Sequence, residues 1–155
     1  MTIPVIGSAR TSSNGMGTPM TDRRIEIVKA LFAGWSSGDP DAPEPYFDPQ
    51  GTLHDVASGT FVGWPNIRAF FAKGLAKWDD LQLVPDQFWA SDDGLALHYD
   101  MHATVKDPTI YGPEHVGKVW RVEVMSYLRF AGDRVVYEAD FHDRGARARS
   151  LGITG

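Results

Sequence analysis

Leu95-Ala-Leu-His-Tyr-Asp-Met-His-Ala-Thr-Val105 alternates without a break. In an extended chain it places Leu95, Leu97, Tyr99, Met101 and Ala103 on one face and His98, Asp100, His102 and Thr104 on the other. That period belongs to a strand rather than a helix. A face with a titratable group at every second position suits an active-site wall, and it equally suits the wet side of an ordinary sheet.

Working outward, Asp92-Asp93-Gly94 is a turn signal that joins this strand to one over 81–90, where Pro85 marks an edge or a bulge. On the other side, a loop over 106–114 with two prolines leads into a long strand, 116–130. Trp120, Val122, Val124, Leu128 and Phe130 share one of its faces, and Arg121, Glu123 and Arg129 the other. Ala131-Gly132-Asp133 turns the chain again, and 134–142 is the last strand. It carries Val136, Glu138, Asp140 and His142 on one face and Val135, Tyr137, Ala139 and Phe141 on the other. The second half of the chain is thus a four-strand antiparallel meander.

The first half reads differently. Ile25, Val28, Phe32 and Trp35 recur at helical spacing, with Ile27 and Leu31 widening the stripe, so an amphipathic helix starts after a cap at Thr21 or Asp22 and stops at Gly38-Asp39-Pro40. Asp41 to Gln50, with three prolines, predicts a short helical turn, and Thr52 to Ala57 a strand. Ser58-Gly59 is a turn, and Phe61-Val62 a short extended piece. Gly63-Trp64-Pro65 opens a second helix whose buried stripe is Ile67, Phe70, Phe71, Leu75 and Trp78. Helices first and sheet last is an α+β arrangement.

Composition bounds the function. A chain of 155 residues with 43% hydrophobic content suits one domain. A net charge of -5 argues against nucleic acid as a partner, since phosphate binding needs a surplus of Lys and Arg. There is no cysteine, hence no disulfide, thiol nucleophile or Cys-based zinc site. Met1 to Gly7 lacks the pattern of a secretory signal, and no stretch is apolar enough for a membrane span, so a cytoplasmic protein without a membrane partner is expected. Residues 1–20, rich in Ser, Thr and Gly, read as a flexible arm, 21–143 as the domain, and 144–155 as a tail. The tail's Arg144, Arg147 and Arg149 suit a local anion contact or a solvated segment. His98 and His102 would lie about 13 Å apart at ~3.3 Å per residue, too far to share one ion, and no metal is expected.

The order of elements, the Gly63 turn before the second helix, and the ending Gly132-Asp-Arg-Val-Val-Tyr-Glu-Ala-Asp-Phe-His-Asp143 resemble the nuclear-transport-factor-2-like superfamily, in particular its SnoaL-like branch. The resemblance covers about residues 21–143. It implies a cone: a strongly curved, mostly antiparallel sheet wrapped round the N-terminal helices, with a ligand cavity at the wide end. Superfamily members include ketosteroid isomerases, epoxide hydrolases, scytalone dehydratases and polyketide cyclases.

Carried over by position, the epoxide hydrolase pattern of Arg-x-Asp plus a later Asp falls on His98-Tyr99-Asp100 and Asp140, with His98 replacing the arginine. The ketosteroid isomerase base falls on Asp55 of Thr52-Leu53-His54-Asp55. Its two oxyanion donors are absent, since Leu31 or Phe32 and Ser126 stand in their places. A cyclase-type acid/base residue falls on Asp140, and His54, His98 and Asp100 imitate the dehydratase set. The resemblance therefore implies His98 and Asp100 inside the cone, sharing a proton with Asp140, and Leu97, Tyr99 and Met101 toward a second copy in a homodimer. Asp140, Asp100, His98, Asp55 and His54 are the candidate catalytic residues. Phe32, Trp35, Phe71 and Trp120 are the candidates for a hydrophobic small-molecule ligand. The expected function is a cofactor-independent isomerase, cyclase, dehydratase or epoxide hydrolase; the alternative is a non-catalytic binding or dimerisation module.

Overall fold

The computed structural model of the chain describes residues 18–154. Helix α1 (Pro19–Trp35) is capped by Thr18, whose hydroxyl accepts from the Thr21 amide at 3.2 Å. The helix therefore starts ahead of the Thr21 or Asp22 cap expected from sequence. Proline has no N–H to lose in a first turn, and Pro19 occupies that place. The end of the expected arm, Thr18 to Met20, thus belongs to this helix, and residues 1–17 lie outside the described residues.

After a 3-10 turn at Glu44–Tyr46 come β1 (Phe47–Asp55), β2 (Gly59–Val62), α2 (Trp64–Leu75), β3 (Trp78–Ala90), β4 (Gly94–Val105), α3 (Pro108–Tyr111), β5 (Val119–Ala131), β6 (Arg134–Phe141) and α4 (Ala146–Ser150). The six strands form one sheet in the order β2-β1-β6-β5-β4-β3. The meander β3 to β6 is antiparallel throughout, as the period-2 pattern predicts. The β1–β2 hairpin joins it through a parallel pairing of β1 with β6. Pro85 sits on the edge strand, where the register slips between Pro85 and Gln87. Trp78 is not part of α2: the helix ends at Leu75, and Trp78 opens β3 edge-on to Trp120, with ring centroids 5.2 Å apart.

The helices pack on one face of the curved sheet. Val28, Leu31 and Phe32 of α1 and Ile67 of α2 are fully buried there against Leu95, Leu97, Trp120, Leu128 and Val135. Strand β4 follows its own alternation. Leu95, Leu97, Tyr99, Ala103 and Val105 are buried, and His98, Asp100 and His102 take the opposite face. The expectation that His98 and Asp100 point inward is reversed. Turning the strand over would expose two leucines and a tyrosine, at about 2 kcal/mol each, and would bury ionisable groups in exchange. With Leu97 and Tyr99 in the core, they cannot form a dimer face.

Strand β6 behaves otherwise. Across from it on β5, Phe130 pairs with Val135 and Arg129 with Tyr137, so Val136 is an extra residue. This bulge changes which side chains point inward. Val135 is buried before it, and after it Glu138, Asp140 and His142 turn toward the interior.

Candidate active site

Between the helices and the sheet lies a cavity of about 110 Å³. Trp35, Phe70, Phe71, Trp78, Leu81 and Leu83 give it an aromatic and aliphatic wall. Asp55, Tyr99, Glu138, Asp140, His142 and Arg147 bring polar atoms into it. The parallel pairing of β1 with β6 sets Asp55 opposite Asp140. Tyr99 comes from β4, and Arg147 from α4, which packs on β5.

Two hydrogen-bonded groups organise the polar side. In the first, Ser126 donates to Asp140 Oδ1 at 2.5 Å, so its own oxygen accepts from the Tyr99 hydroxyl at 3.0 Å. Burial pushes the Asp140 carboxyl up from 3.8 to about 6; the Ser126 hydrogen bond and Glu138 oppose the rise, while the charge of Asp55 adds to it. Glu138, 1% exposed, is raised well above the usual carboxylate range by burial and then by the Asp140 charge beside it. Burial and mutual repulsion both work against a double negative charge on this pair, so the two carboxyls favour keeping a proton between them. Burial, with the charges of Asp140 and Glu138, raises the Tyr99 phenol as well, which keeps it a donor.

In the second group, Asp55 and His142 meet at 3.0 Å, their side chains 11% and 5% exposed. Burial works to raise the Asp55 carboxyl, but the His142 hydrogen bond and charge, with the Ala57 amide and Ser58, hold it below the usual range. An ionised Asp55 accepts, so His142 Nε2 carries the proton of this bond. His142 Nδ1 is then buried without a partner among the described residues. Glu138 Oε2 and Arg147 Nε are in the same condition, so three of the five such atoms belong to residues lining this one cavity. Buried polar groups are nearly always satisfied, so these three find their hydrogen bonds with water or a ligand in the cavity.

The model of the SnoaL-like domain matches residues 28–138. The chain belongs to the SnoaL-like family. No curated protein matches it. Among solved structures, a protein of ketosteroid isomerase-like fold from Catenulispora acidiphila DSM 44928, in complex with trimethylamine, is similar at 22% identity and TM-score 0.73, over 83% of this chain and 94% of that one. A chain from Jannaschia sp. CCS1, provisionally classed as a SnoaL-like polyketide cyclase, is 17% identical at TM-score 0.75, over 90% and 98%. IdmH from Streptomyces antibioticus, also provisionally a polyketide cyclase, is 15% identical at TM-score 0.72, over 84% and 99%. At these identities the likeness is one of fold. The SnoaL-like match stops short of Asp140, His142 and Arg147, so the chemistry of these three rests on their own geometry.

Of the candidate residues in this SnoaL-like chain, Asp55, Asp140, Trp35 and Phe71 line the cavity. Phe32 and Trp120 are fully buried beside it, Phe32 edge-on to Tyr99 with centroids 4.8 Å apart. His98, Asp100 and His54 are elsewhere. His98 bonds to Asp86 at 2.8 Å, and Asp100 bonds to His102 at 2.6 Å while accepting from Arg121 at 3.0 Å, all on the outer face of the sheet. His54 is tied to Thr60 on β2 at 2.8 Å. Sequence reasoning missed Glu138, His142, Tyr99 and Arg147. The signal for the first two was the even face of the last strand, on which Asp140 alone was singled out. Among the described residues no group of three His, Asp or Glu side chains is arranged to hold a metal ion, and no helix is long and apolar enough to cross a membrane.

Proposed function

We propose that this cavity is an acid/base active site in which Asp140 takes and returns a proton at a carbon atom of a hydrophobic cyclic or polyketide-like molecule, without a cofactor. The observation that carries the reading is a half-buried carboxylate in the cavity wall, held at Oδ1 by the Ser126–Tyr99 chain and raised to about 6. A base of that strength is charged at neutral pH yet able to give its proton back, which is what proton transfer requires. With Oδ1 engaged by Ser126, the proton falls to Oδ2. Glu138, whose burial favours its protonated form, works against a second negative charge beside the reacting carbon. His142, its Nε2–H held by Asp55, leaves Nδ1 free to accept a hydrogen bond from a hydroxyl of the substrate. Isomerisation, cyclisation and dehydration all share this proton transfer. Epoxide opening is less well served, because His98 and Asp100 face away from Asp140.

Deuterium uptake at the α-carbon of small cyclic ketones such as cyclohexanone, followed by proton NMR, tests the proposal. The expected result is acceleration by the wild type and a loss of about a hundredfold or more in Asp140→Asn, the usual scale of a positioned base. An Asn variant as fast as the wild type removes Asp140 from the mechanism. A wild type that accelerates none of these ketones favours the non-catalytic binding module instead.

The homodimer belongs to the outer face of the sheet, where Val56, Met125 and Phe141 are exposed side by side with His98. Sedimentation at micromolar concentration is expected to give a dimer that Met125→Lys dissociates; a wild-type monomer there contradicts this pairing.

A further inference from the structure

Arg147 is a half-buried arginine that no carboxylate of the described residues neutralises. Its guanidinium lies 4.5 Å from the ring centroid of Trp120 and 5.4 Å from that of Trp78. Arg23, Arg68, Arg121 and Arg149 each contact a carboxylate, but among the described residues Arg147 has none within 4 Å. Its Nε is buried without a partner. The placement is held from outside: Ser150 of the same short helix accepts from the Arg121 amide at 3.1 Å, and Arg149 and Gly145 both bond to Asp143. Desolvation lowers the Arg147 pKa, with Tyr111 and Asp55 opposing, so burial of this charge is a cost that the π faces offset only in part. Arginine presents a planar fork that matches a carboxylate or a phenolic oxygen, and it does so best where water is scarce.

We propose that Arg147 with Trp78 and Trp120 is an anion subsite of the cavity, which selects planar, ring-containing ligands bearing a negatively charged oxygen. This rests on the reading of the cavity as a substrate site, and it adds a direction to it. The aromatic wall takes the ring, Arg147 takes the charged oxygen, and the ligand's opposite edge is presented to Asp140. A ligand anion would be repelled by Asp140 and Asp55 in the reverse orientation. Arg147 is in this sense a specificity-determining residue, with no proton to transfer.

A cavity of about 110 Å³ is on the scale of one ring, so benzoate and its neutral counterpart benzamide are suitable probes, measured by calorimetry on the full chain at pH 7.5. The wild type is expected to bind benzoate at least tenfold more tightly than benzamide. The net charge of -5 opposes such a preference, so general electrostatics cannot supply it. Arg147→Met is expected to lose the preference, with benzamide affinity held within about threefold as the internal check on folding, and Arg147→Lys to keep part of it. Equal affinities in the wild type, no binding of either probe, or a preference that survives in Arg147→Met would each overturn the proposal. The outcome is separate from that of the proton-transfer test. Benzoate preference lost in Arg147→Met alongside full deuterium uptake in Asp140→Asn would uphold the subsite and discard the base.

Discussion

Replacing Asp140 by asparagine should make the folded protein more stable at neutral pH. In the native state burial raises this carboxyl from 3.8 to about 6. Below about pH 3 the folded and unfolded chains both hold the proton, and the group contributes no difference. Between the two values the folded chain binds more protons than the unfolded one, so stability falls as pH rises. Above about pH 6.5 the loss is complete. A gap of roughly two pKa units corresponds to about 3 kcal/mol, and contact with the cavity reduces this to about 2–3 kcal/mol. Asparagine keeps an oxygen for the Ser126 hydroxyl and carries no charge to desolvate. Urea titrations followed by tryptophan fluorescence should therefore show wild type and Asp140→Asn converging as the pH falls toward about 3. They should separate by about 2–3 kcal/mol at pH 7.5, or roughly 5–12 °C in Tm for a domain of this size. Groups remote from Asp140 cancel in the difference, while Glu138, which the Asp140 charge raises, is relieved in the variant and moves the difference the same way. A difference that does not change with pH, or an asparagine variant less stable than the wild type at pH 7.5, would refute the claim that a desolvated carboxylate of raised pKa occupies this position.

The two faces of β4 should respond oppositely to truncation. Leu97→Ala, at a fully buried position, should cost about 2–5 kcal/mol by chemical denaturation, whereas His98→Ala next door should stay within about 0.5 kcal/mol. The reverse ranking would mean that the strand is turned over. At Gly94 a methyl group would sit 1.8 Å from the Leu128 carbonyl oxygen. Gly94→Ala should therefore lower Tm sharply or leave the protein in the insoluble fraction, and a variant with unchanged Tm would show that the turn into β4 is looser than described.

The meander was legible because each of its strands repeats with period two, and local alternation survives into the fold. For β4 the alternation also chose the correct side, since Leu95, Leu97 and Tyr99 outweigh His98 and Asp100 in burial. The resemblance, carried over by position, pointed the strand the other way. For β6 the pattern alone was silent on direction. The bulge at Val136 decides it, and a single extra residue leaves no mark on an alternating sequence. The parallel pairing of β1 with β6 is a long-range contact and equally invisible. Asp55 and Asp140 were nonetheless named as candidates, whereas Arg147 lies in a helix of five residues, too short to show a period. Its unpaired charge becomes evident only once Trp78 and Trp120 are seen beneath it.

The pairing of β1 with β6 also bears on when the site comes into being. Asp55 and His142 are 87 residues apart in the chain, and every element of the meander must be made before the last strand can lie beside the first. Closing so long a loop is entropically the most expensive step, and contacts of that kind form late. The hairpin and α2 can gather early, but Asp55, Asp140, His142 and Arg147 meet only when the C-terminal segment docks. A nascent or truncated chain would lack the assembled cavity, and its appearance on refolding would report the arrival of that final segment rather than the collapse of the core.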